Sequence, residues 1–220
     1  MTVVLLHPLP LDGTAWADVP VEDPVVAPTL YDLGPTVEAW AGAVVDLAGP
    51  GPLVVVGASV GASCALEVAR LVPGRIDHLV LVGGKAGHRR DPGQHAAVRR
   101  VLDDEGLAGA WARIWAPLLS PTAAPDVVAR VRGLALAQAP AAVTTGVDAF
   151  HARPDATAVA RAHAGHLTVV RGEDDPIVGD RPPLAPARVV AGAGHYVPIE
   201  RPQAMAALVA DAVSRGRGGA

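Results

Sequence analysis

Three short segments hold the residue types that a covalent acyl transfer needs. The first is Gly57-Ala58-Ser59-Val60-Gly61, which follows the apolar run Leu53-Val54-Val55-Val56 and leads into a small-residue stretch of helical character. This is the pattern of a nucleophile elbow: a serine on a tight turn between a buried strand and a helix, flanked by glycines because a Cβ would clash where the backbone doubles back. A helix starting at Val60 would point its amide hydrogens and positive dipole end at charge developing near the Ser59 hydroxyl. Taken alone, the string is also compatible with a plain strand-to-helix turn.

The other two segments supply an acid and a base. Arg171-Gly172-Glu173-Asp174-Asp175-Pro176-Ile177-Val178 follows the strand-like Leu167-Thr168-Val169-Val170, and Ala191-Gly192-Ala193-Gly194-His195-Tyr196 follows Ala187-Arg188-Val189-Val190. The chain order is therefore serine, acid, histidine, each just past a strand, an order that separates one hydrolase architecture from other serine-triad folds. Either Asp174 or Asp175 could orient the histidine.

With these three pieces the sequence resembles the α/β-hydrolase superfamily over nearly its whole length. Leu5-Leu6-His7-Pro8-Leu9-Pro10-Leu11-Asp12-Gly13 with Trp16 is similar to the family's oxyanion loop, and Ile199-Glu200-Arg201-Pro202 to the start of its last helix. Within the superfamily the chain is most similar to small bacterial esterases and 3-oxoadipate enol-lactonases. Two departures stand out: His7-Pro8 replaces the family's usual His-Gly, and the chain opens on what would be the family's third strand, implying that the first two are missing. The family's G-x-x-D pattern, counted from Gly172, lands on Asp175.

The resemblance implies hydrolysis of a small to medium carboxylic ester through an acyl-enzyme on Ser59. His195 would take the serine proton and return it to the leaving alcohol, while Asp175 fixes the imidazole tautomer. The oxyanion would sit on the backbone amides of Val60 and Leu9, since Pro8 and Pro10 carry no amide hydrogen. A lactone is the alternative substrate; perhydrolase, carbon–carbon hydrolase or small-ligand receptor roles are further ones.

Composition is consistent with this reading. The 220 residues suit one domain with a large core, or one domain plus a lid. The net charge is −4, from 18 basic and 22 acidic residues, with no basic run beyond two arginines, so no nucleic-acid footprint is expected. No apolar stretch approaches the roughly 18 residues of a membrane span, and Met1-Thr2-Val3-Val4 lacks the basic start of a signal peptide. A cytoplasmic location, no membrane partner and no cofactor are the corresponding expectations. Cys64 is the only cysteine and lies one helical turn past Ser59, where a small apolar thiol would pack on the sheet.

The elements that must position these residues alternate between strand and helix, the pattern of a parallel sheet covered on both faces. Strands are expected at Val3–Leu6, Val25–Ala27, Leu53–Val56, His78–Val82, Leu167–Val170 and Arg188–Val190, about six parallel strands in all. Helices are expected from the Thr36 cap to Leu47, from Val60 to Leu71, and from Pro202 onward. Residues 1–84 and 166–220 would form the hydrolase core and residues 85–165 a helical cap. In the cap, Asp91-Pro92 starts a helix that Gly106 ends, Leu107 to Leu119 forms another, and Pro125 and Pro140 open two more. Trp111, Trp115 and Phe150 are its largest side chains, candidates either for packing or for lining a substrate pocket.

Other polar residues receive quieter readings. His163 and His166 are three apart at a loop but lack a third ligand at metal spacing, so no metal is expected. His7 would shape its loop by hydrogen bonding. Lys85, His88 and Arg89 could reach a substrate carboxylate or simply form a solvated rim.

Overall fold

The structure is a computed structural model, and it describes residues 1–178 and 186–218. Six strands form one sheet: β1 Thr2–Leu6, β2 Val25–Val26, β3 Leu53–Ala58, β4 Ile76–Val82, β5 Leu167–Gly172 and β6 Arg188–Val190. Their order is β2-β1-β3-β4-β5-β6, and every neighbouring pair is parallel. The central strands are continuous apolar runs because they are covered on both faces; every residue of β3 is buried, as is almost all of β4. Valine dominates them, its branched Cβ fitting the pleated, fully packed surface.

Helices α1 (Val37–Leu47), α2 (Val60–Leu71) and α8 (Pro202–Gly218) flank the sheet. Thr36 caps α1 by accepting from the Ala39 amide, and Pro202 occupies the first position of α8, where its missing N–H costs nothing. Helix α2 starts at Val60 and ends at Leu71, the residues the sequence predicts.

Between β4 and β5 the described residues contain no strand. This stretch holds α3 (Pro92–Ala110), α4 (Pro125–Leu136), α5 (Pro140–Ala152) and α6 (Thr157–Ala162). The expected helix over Leu107–Leu119 is not a separate α-helix. Gly106 does break the helical geometry, at φ +66°, but the chain resumes coiling to Ala110, passes through a π-turn at Trp111–Trp115 and tightens to a 3-10 turn at Ala116–Leu118. Pro117 cannot donate an amide hydrogen bond, which ends the wider coil there. The short helices α6 and α7 (Val197–Glu200) were not legible from periodicity.

Candidate active site

Ser59 stands between β3 and α2 with φ +53° and ψ −112°, the only non-glycine residue at positive φ among those described. Such a conformation costs about 1–3 kcal/mol and survives only where the surroundings enforce it. Here they do. A Cβ on Gly57 would strike the Gly61 carbonyl, and one on Gly61 would strike the Leu6 carbonyl, so the turn passes closer to itself and to β1 than any side chain permits. The Ser59 amide donates to Val82 O at 2.8 Å, fixing the serine to the end of β4, and its side chain remains partly exposed.

The histidine reaches the same strand end from the other side. The ring of His195 lies against Gly83, where a Cβ would sit 3.0 Å from its Nδ1 and Cε1 and 3.1 Å from Asp175 Oδ2. His195 Nδ1 and Asp175 Oδ2 are 2.8 Å apart, and both residues are buried. Burial pushes the Asp175 carboxyl up, but the His195 hydrogen bond and charge and the amides of Ile177 and Val178 outweigh it, holding the group below its ordinary value. An ionised carboxylate on Nδ1 keeps that nitrogen protonated and leaves Nε2 as the acceptor. The neighbouring Asp174 faces away, its Oδ2 accepting from Ser120 Oγ at 2.6 Å.

The first loop is held from two directions. His7 Nε2 accepts from the Leu30 amide at 2.9 Å, and its Nδ1 lies 3.2 Å from Pro8 O, so the ring is the neutral Nδ1–H tautomer donating to its own loop. Burial drives its pKa down to about 4 against the smaller opposing effects of the Pro8 carbonyl and Asp12. On the other side Tyr196 Oη donates to Leu9 O at 3.2 Å, tying the residue after His195 to the loop that carries Leu9. The second oxyanion candidate, Val60, provides the first amide of α2, beside the serine.

The remaining sequence candidates disperse. Trp111 and Trp115 are both buried in the π-turn, whereas Phe150 is partly exposed beneath the Arg153 guanidinium, 3.9 Å from its ring centroid. His88 donates its amide to Asp155 and sets Nε2 3.0 Å from His151 O, facing the helical insertion. His163 and His166 engage different backbone carbonyls, those of Val159 and Asp77, and no described cluster of three His, Cys, Asp or Glu could hold a metal ion. Cys64 is buried, its thiol pushed far up by burial and by Glu67. Sequence reasoning missed Glu200, whose carboxylate is buried beside the histidine loop. Its only sequence signal was its place four residues after Tyr196 and two before Pro202, at the turn into α8.

The profile of the alpha/beta hydrolase family matches residues 3–208. The chain belongs to that family. Among solved structures, this alpha/beta hydrolase is similar to a thermophilic esterase from Thermogutta terrifontis, determined with malate bound, at 27% identity and a TM-score of 0.82, covering 98% of this chain and 90% of that one. It also shares its fold with the enol-lactonase from Burkholderia xenovorans LB400, at 21% identity and a TM-score of 0.79, covering 97% and 91%. No match is found by sequence among curated proteins. No helix of the described residues is long and apolar enough to cross a membrane.

Proposed function

We propose that this hydrolase cleaves a small to medium carboxylic ester through an acyl-enzyme on Ser59. The observation that carries the reading is the meeting at the end of β4: Ser59, at positive φ, bonds Val82, and the His195–Asp175 pair lies on the adjacent Gly83. His195 removes the Ser59 proton as the hydroxyl attacks the ester carbonyl. The tetrahedral oxyanion accepts hydrogen bonds from the Val60 and Leu9 amides, and collapse expels the alcohol with the proton that His195 returns. Water repeats the sequence on the acyl-enzyme. Asp175 stabilises the imidazolium formed in each half.

The esterase from Thermogutta terrifontis supports the ester reading, and the fold shared with an enol-lactonase makes lactones the alternative. Residues 85–165 would act as a cap over the site, with the core at 1–84 and 166–220. The test is labelling with a fluorophosphonate probe, followed by assay of p-nitrophenyl esters of increasing acyl length beside a lactone panel. Labelling of Ser59 and its loss in Ser59→Ala are expected; labelling at Ser63 or Cys64 in active protein would refute the assignment. Faster turnover of lactones than of every ester would favour the alternative.

A further inference from the structure

We propose that Glu200 is the residue that positions His195, an inference resting on the triad reading above. Glu200 ends the four-residue helix α7, which folds the chain back so that its carboxylate lies under the loop it has just left. Oε2 accepts from the Gly194 amide at 3.0 Å and the Ser120 amide at 2.9 Å, and Oε1 accepts from the Tyr196 amide at 3.0 Å. The residues on both sides of His195 are thus pinned by one side chain.

The third amide extends the same grip to the helical insertion. Ser120 lies two residues after Leu118, whose carbonyl accepts the His195 amide at 2.7 Å, so the His195 backbone is held by the segment that Glu200 itself holds. The two segments touch directly: a Cβ on Gly194 would run into Leu118 O and Ser120 N. A carboxylate 3% exposed is expensive to bury and is retained only when its oxygens are satisfied, as these are by three charge-assisted bonds. Fixing the backbone at 194, 195 and 196 leaves the imidazole little freedom beyond its own side-chain torsions. Those are set by Asp175 on one edge and Gly83 on one face.

Glu200→Gln is the discriminating variant. It keeps the shape but turns an NH2 group toward at least one amide donor, loosening the loop without opening a cavity. Misplacement of a catalytic base by about 1 Å costs on the order of 10²-fold, so kcat on p-nitrophenyl acetate should fall by about that factor with KM little changed. The low-field Nδ1 proton resonance of His195 should broaden or shift. Val209→Ala, which removes packing from α8 away from the loop, should lower the melting temperature and leave that resonance in place. Wild-type kcat with an unaltered resonance in Glu200→Gln, or activity lost only in proportion to the unfolded fraction, overturns the proposal. Should Glu200→Gln fail to fold, Glu200→Asp carries the same expectations, since it withdraws the charge by one methylene. Full activity in His195→Ala would refute the triad itself, whereas an inactive His195→Ala beside a fully active Glu200→Gln would refute this inference alone.

Discussion

Asp174 and Ser120, 54 residues apart in the chain, are joined by a 2.6 Å hydrogen bond between Oδ2 and Oγ. The adjacent Asp175 lies instead on His195. Replacing Asp175 with Asn should lower kcat by about 10⁴-fold through the wrong imidazole tautomer. Asp174→Asn, which still offers Ser120 an acceptor, should leave kcat within a small factor of wild type. Steady-state kinetics on one chromogenic ester decides between them, and the reverse ranking would transfer the orienting role to Asp174.

The strained serine predicts a trade between stability and activity. Ser59→Gly relieves a positive φ that only glycine adopts without penalty, so it should stabilise the fold by about 1 kcal/mol while abolishing hydrolysis. Urea unfolding measures the gain. A less stable Ser59→Gly protein would mean that the hydroxyl contributes more to the fold than its conformation costs.

Acid sensitivity should have a traceable origin in His7. Its folded pKa of about 4 lies below the unfolded value of about 6.5, so between those pH values the unfolded chain binds a proton that the folded chain does not. The contribution of the neutral ring is therefore complete above about pH 6.5 and is lost as pH falls toward 4, amounting to about 3 kcal/mol. His151, also lowered to about 4 by partial burial and then by His95 and Arg153, adds in the same direction. His7→Asn, which can still accept from Leu30, should flatten part of the decline in unfolding free energy over this window. An unchanged slope would locate the acid sensitivity elsewhere.

The buried tryptophans are expected to act through packing. Trp111 and Trp115 are 6% and 4% exposed, and truncating either to Ala should cost about 3–5 kcal/mol. Losses on acetate and on longer esters should then be equal. A changed acyl-chain preference with little change in melting temperature would make them pocket walls instead.

The sheet was legible because each strand carries a short run of valine and leucine or of valine alone, and the helix starts were legible through Thr36, Asp91 and the prolines at first turns. Coil type was not: nothing in the composition of Trp111–Trp115 distinguishes a π-turn from an α-turn, because that choice depends on what the side chains must reach. At the site, the Gly172-to-Asp175 spacing selects the carboxylate that the fold places on His195. The part of Glu200 was invisible for a different reason. Its three partners are backbone amides, which every residue except proline possesses, so no side-chain pattern marks them.

Strand order and the chain positions of the proposed triad also bear on when the molecule would become chemically competent. Because β1 lies inside the sheet and every pairing is parallel, each contact closes a long loop, and such non-local topologies assemble slowly. On a ribosome, the serine turn and the first loop emerge with the first 83 residues, whereas Asp175 and His195 follow about a hundred residues later. On the proposed triad, a nascent chain that has finished only β4 carries its hydroxyl without the imidazole, and the hydrolase would stay inert until its last third has been synthesised and docked.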